Sequence, residues 1–179
     1  MAKSFSTRPK PSNNYAKIVF FVTLGVAAVL FVAYFLMDSY KGIVGTVALF
    51  VLVTAILIYT KFISPAFYYD VICDDGEVPL FVVRQITGRR STTLCRVELA
   101  DIISITHETD AEMREHKTPN GYRKYVYTPT LFPNEVYRLT VVSKYENAEI
   151  IIEISEELSE LLRSLVVEAK ELRANSEDE

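Results

Sequence analysis

The chain has 179 residues, half of them apolar, with a formal net charge of −4 and a mean hydropathy of +0.17. That length accommodates two membrane spans and still leaves enough chain for one domain with its own core. The acidic balance excludes the phosphate-neutralising surface on which nucleic-acid binding depends, so no nucleic-acid partner is expected.

Residues 1–15 read as a disordered basic tail: Lys3, Arg8 and Lys10 lie among polar residues, Pro9 and Pro11 interrupt them, and no apolar period is present. Two uncharged apolar runs follow, residues 18–37 and 43–60, of 20 and 18 residues. At a helical rise of about 1.5 Å per residue, each covers the hydrocarbon core of a bilayer, roughly 30 Å thick. Hydrocarbon offers backbone amides no partner, so each run closes its hydrogen bonds as a helix, and residues 16–61 are expected to form a transmembrane hairpin. A cleaved signal peptide has a shorter apolar region and no second span close behind it. Four basic residues (Lys3, Arg8, Lys10 and Lys17) precede the first run, against Lys41 alone in the loop. The charge rule therefore predicts a multi-pass cell-membrane protein with both its N-terminus and its C-terminal domain in the cytoplasm. Neither run contains GxxxG, so the spans carry no helix-pairing signature.

Pro65 ends the second helix, and the apolar period then becomes two. Phe67, Tyr69, Val71 and Cys73 share one face of a first strand, and Asp74-Asp75-Gly76-Glu77 turns the chain. Further strands are expected at 80–87, 94–99 and 102–109, with Gly88-Arg89-Arg90 forming a tight hairpin between the first two of these. Residues 110–121 are charged and end in Pro-Asn-Gly, which predicts a mobile loop. Strands at 122–128, 136–143 and 148–154 complete a set of seven. From Ser155, an N-cap residue type, Leu158, Leu161, Leu162, Leu165, Val166, Ala169 and Leu172 form the stripe of an amphipathic helix. Residues 175–179 read as an acidic disordered end.

Seven short strands closed by one C-terminal helix, together with Arg96-Val97-Glu98-Leu99-Ala100-Asp101-Ile102-Ile103-Ser104-Ile105 at the third crossing, resemble bacterial pleckstrin-homology-like (PH-like) domain proteins. The resemblance covers roughly residues 67–172 and implies a cytoplasmic PH-like domain over 66–174: a seven-stranded antiparallel barrel or sandwich capped by the helix. One fold hosts many roles, so the resemblance specifies no ligand. The first loop carries three carboxylates where lipid-binding relatives carry basic residues, and the chain has no Trp.

Two sets of side chains are candidates for contact. Arg84, Arg89, Arg90 and Arg96 gather near the second hairpin and suit an anionic lipid surface or an acidic partner. Tyr125, Tyr127, Phe132 and Tyr137 suit a groove for an extended peptide. His107 and His116 lie nine positions apart among Glu108, Asp110, Glu112 and Glu115, without HxxxH or HExxH spacing, and read as a solvated acidic loop. Cys73 and Cys95 fall on apolar strand faces without CxxC spacing and read as small hydrophobes. No nucleophile, phosphate-loop or dinucleotide motif is present, so neither an enzyme nor a cofactor is expected. The expected role is a membrane-anchored binding or scaffolding module whose partners are the bilayer and another membrane protein. The alternatives are an accessory subunit of a transporter or envelope complex, or a weak anionic-lipid sensor.

Overall fold

The computed structural model describes residues 5–37, 39–73 and 78–177, with side chains through Asn175. The turn expected at Asp74–Glu77 lies outside the described residues. The chain divides into two units: a hairpin, Asn13–Pro65, and a domain assembled from Met1–Ser12 and Ala66–Glu179. The hairpin is thus an insertion in the domain's sequence.

In the hairpin, α1 (Tyr15–Leu36) and α2 (Lys41–Ile58) are helices, and a π-helical turn, Tyr59–Ile63, prolongs α2. The two stretches Tyr15–Leu36 and Lys41–Ile63 are long and apolar enough to span a membrane, with mean hydropathies of 2.6 and 2.5. Threonine hydroxyls inside them bond back to the preceding turn: Thr23 to the Val19 carbonyl at 2.8 Å, Thr54 to the Phe50 carbonyl at 2.9 Å. No hydroxyl at these positions is left bare in an apolar setting. The helices approach through small residues. Ala27 and Ala55 are buried, and a Cβ added at Gly45 would lie 3.2 Å from the Tyr34 ring. Phe21, Val29 and Phe50 stand outward at 67%, 69% and 70% exposure, an apolar surface larger than isolated soluble proteins present.

Among the described residues the domain has eight strands in two four-stranded sheets. The first is ordered β1-β2-β3-β4, built from Phe5–Thr7, Pro65–Ile72, Leu80–Thr87 and Arg90–Glu98. A 3-10 turn, Leu99–Asp101, leads into the second sheet. Its order is β5-β7-β8-β6, from Ile102–Thr109, Glu135–Val142, Asn147–Ile152 and Tyr122–Tyr127. Alternate residues face inward: Tyr69 and Val71, Phe81 and Val83, Leu139 and Val141, Ile150 and Ile152. The C-terminal helix α4 (Glu156–Glu177) adds Leu162, Val166 and Ala169 to the same core.

Several expectations are corrected. The tail expected to be disordered contributes β1: Phe5, Ser6 and Thr7 pair with Val71, Asp70 and Tyr69, and Phe5 packs on the core. An unpaired edge of β2 would expose a row of amides, and β1 satisfies them. The described residues therefore hold eight strands, against the seven expected. The sheets are not all antiparallel either, because β6 runs parallel to β8. The segment expected to be a mobile loop begins as a short helix, α3 (Asp110–Glu115). A capping box holds it, with the Thr109 side chain accepting from the backbone of Glu112 and the Glu112 carboxylate accepting from the Thr109 N–H at 2.8 Å. At the C-terminus the helix runs through Glu177, past the point where a disordered end was expected.

Candidate functional site

Strands β4 and β6 are the outer strands of their respective sheets. Between them lies a cleft of about 860 Å³. Its floor is aliphatic, with Val141 from β7 and Ala148 and Ile150 from β8. One wall is β4, where the register skips Leu94: Val83 pairs with Cys95 and Arg84 with Thr93. Leu94 is therefore a bulged residue, and the bulge turns both Leu94 and Cys95 toward the cavity. The opposite wall carries Tyr125 and Tyr127, two positions apart on one face of β6, with ring centroids 6.1 Å apart and planes 8° from parallel. Tyr127 donates its hydroxyl to the Leu94 carbonyl at 3.3 Å, joining the walls at one end. Its own carbonyl accepts from the buried Tyr69 hydroxyl at 2.6 Å.

The cleft's thiol, its inner phenol and its acids are neutral or already paired, whereas Arg96 borders it without an ion pair among the described residues. Burial, reinforced by Glu146, pushes the Cys95 thiol up to about 11. Burial pushes the Tyr127 phenol up to about 12. Thiolate chemistry at neutral pH is correspondingly suppressed. Glu146 accepts from the Tyr125 hydroxyl at 2.6 Å and faces Arg123 at 3.3 Å. Arg173 holds Glu98, and also Asp101 at 2.9 Å.

The expected groove residues are thus split. Tyr125 and Tyr127 line the cleft, whereas Tyr137 is in the core and Phe132, 56% exposed, is not part of the lining. The four arginines do not form one patch. Arg84 is ion-paired with the buried Asp70 on the outer face of the first sheet. Arg96 stands near that pair and also borders the cleft. Gly88, at φ +60°, opens the two-residue turn that places Arg89 and Arg90 at the tip of the β3–β4 hairpin.

A charge network on the outer face of the second sheet was not anticipated. Arg138 is 2% exposed and pairs bidentately with Glu108 and singly with Glu149. His116 Nε2 lies 2.9 Å from Glu149 Oε1, and the Thr118 hydroxyl donates to Glu149 Oε2 at 2.8 Å. Residues 116–118, expected to be solvated, therefore lie over this sheet as a strap. Among the described residues, no group of three His, Cys, Asp or Glu side chains converges as metal ligands. The sequence signal for the network was an Arg in one strand with Glu at same-face positions on both neighbouring strands.

No family model, curated protein or solved structure matches this chain.

Proposed function

We propose that this chain is a membrane-anchored, non-enzymatic binding module that presents the β4–β6 cleft to another membrane protein at the cytoplasmic face. The observation that carries the reading is the cleft: an aliphatic floor between two sheet edges, rimmed by acids that already have partners. Concave, mostly apolar sites with a few placed polar groups are where proteins bind ligands. The outward apolar faces of α1 and α2 support a lipid environment for the hairpin. The basic residues before α1 support the cytoplasmic side. Pairing of β1 with β2 supports both ends of the hairpin emerging on one side, as two spans require. Tethering raises the effective concentration of the domain for its membrane neighbours, so a modest contact suffices.

Two apolar helices, two four-stranded sheets and a C-terminal helix support the PH-like part of this reading. That support stops at β6, whose parallel run beside β8 has no place in an all-antiparallel barrel.

The test is photo-crosslinking in native membranes, with a photoreactive amino acid in place of Tyr145, which lines the cleft at 92% exposure. A discrete adduct with another membrane protein is expected, from a chain that resists alkaline extraction and whose C-terminal reporter is active only inside the cell. Release from membranes without detergent, or a reporter active outside, would overturn the reading.

A further inference from the structure

We infer, resting on the binding-module reading, that the occupant of the cleft is an extended peptide segment without basic residues that adds as a strand to the outer edge of β4, beyond the Leu94 carbonyl that Tyr127 takes. The two walls present themselves differently. Five consecutive residues of β4, from Leu94 to Glu98, border the cavity, whereas β6 contributes only Tyr125 and Tyr127. Past the bulge at Leu94, successive strand residues point to opposite faces, so Cys95 to Glu98 supply both parities. A cavity bordered by both parities therefore meets a strand's edge, and one bordered by alternate residues meets its side-chain face. The cleft looks onto the backbone of β4 and onto the rings of β6.

A strand edge carries N–H and C=O groups that its one neighbour does not pair; on β4 the Tyr127 hydroxyl takes the Leu94 carbonyl, and the others require a hydrogen-bonding occupant. A hydrocarbon chain would cover them without pairing them, which costs free energy. A peptide strand pairs them and sets alternate side chains on the floor at Val141, Ala148 and Ile150. The rim acids play little part, because Glu98 and Asp101 are held by Arg173, and Glu146 by Tyr125 and Arg123, while the Arg96 guanidinium on the rim disfavours a basic occupant. The rim has no uncompensated acid with which to select a basic ligand.

The experiment uses the full chain in phosphatidylcholine bilayer discs. Alkylation of Cys95, which borders the cleft, is driven by excess reagent at a pH of about 9 because its thiol is raised, and is followed against Cys73, which does not border it. The probes are pooled uncharged peptides of about eight residues, alternating apolar and Ser/Thr, enough to span a strand of this length. The same peptides N-methylated on one or the other set of alternate amides, and decanoate, complete the set. Expected are slower alkylation of Cys95 with Cys73 unchanged, and about tenfold weaker protection when one set of amides is methylated but not the other. Equal protection by both methylated sets, or protection by decanoate alone, overturns strand addition and leaves the binding-module reading standing. No protection by any probe overturns both. Protection that grows with protein concentration in the absence of probe assigns the cleft to a second copy of the chain and likewise overturns the peptide assignment.

Discussion

Arg138 grips Glu108 with two parallel hydrogen bonds, Nε to Oε1 and Nη2 to Oε2, each 2.6 Å long, while its Nη1 reaches Glu149 Oε2 at 2.8 Å. Three side chains from β5, β7 and β8 thereby carry their charges on the outer face of a sheet, and the strap at His116 and Thr118 shields them. Ions this buried are tolerated only when each has a partner.

Replacing Arg138 by Leu leaves Glu108 and Glu149 facing each other without a cation. Breaking a buried pair from one side costs about 3–5 kcal/mol. Urea unfolding of the detergent-solubilised chain, followed by circular dichroism, is expected to show a loss of that size for the domain transition. Thr118→Val, which removes one neutral donor, is expected to cost about 1 kcal/mol. Equal, small losses from both substitutions would contradict the assigned network.

Acid should loosen the same region. Burial alone would raise the Glu149 carboxyl, but hydrogen bonds from Thr118 and His116 and the charge of Arg138 outweigh it and hold the group below the usual carboxylate range. A depressed folded-state value means that the stabilisation is fully present above the unfolded value, about 4.3, and is lost as pH falls through the folded one. Glu112, lowered by its hydrogen bonds to Thr109 at the start of α3, titrates in the same direction. Hydrogen exchange across residues 110–121 is expected to be flat from pH 7 to about 5 once corrected for intrinsic rates, and to rise below that. Glu149→Gln should flatten the acid limb.

The Ser12 N–H donates to both Glu153 Oε1, at 2.8 Å, and Thr130 Oγ1, at 3.1 Å, and Glu153 is only 6% exposed. Ser12→Pro removes that donor from a buried carboxylate, at a cost of about 1–3 kcal/mol. The expected signature is faster amide exchange in Phe5–Thr7, with α4 much less affected. Unchanged exchange in β1 would show that the segment is not fastened at Ser12.

Gly45 is held small by the Tyr34 ring, 3.2 Å from where its Cβ would stand. Gly45→Val should destabilise the hairpin by about 1–3 kcal/mol through overpacking. Tyr34→Ala, made in the same chain, should recover most of the loss. Additive effects from the two substitutions would place the ring elsewhere.

Much of this architecture was legible because its signals are local. Two long uncharged runs mark the helices, strict alternation marks β8, and a leucine stripe marks α4. The strand β1 was not legible, since three residues acquire their structure only from β2, which follows some 60 positions later in the chain. The parallel direction of β6 is set by pairing with a strand still to come, and no residue pattern announces it. The Thr109-to-Glu112 spacing is a helix-start signature that the charged composition of residues 110–121 obscured. Glu149 occupies the solvent-facing phase of β8, and what covers it is the strap rather than the strand's own pattern. Aromatic residues near the cleft were readable as a set, but only Tyr125 and Tyr127 share the phase that reaches it; Tyr137 has the phase of the core.

Because β1 precedes the hairpin while its partner β2 follows it, the ribosome releases Phe5–Thr7 well before β2 exists, and the sheet can close only after both apolar helices have been synthesised. A truncation beginning at Ala66 would shed both apolar helices and with them the outermost strand. It would bare the flank of β2 to self-templated aggregation. Bridging Ser12 to Ala66 with a flexible linker would keep that strand while removing both apolar helices.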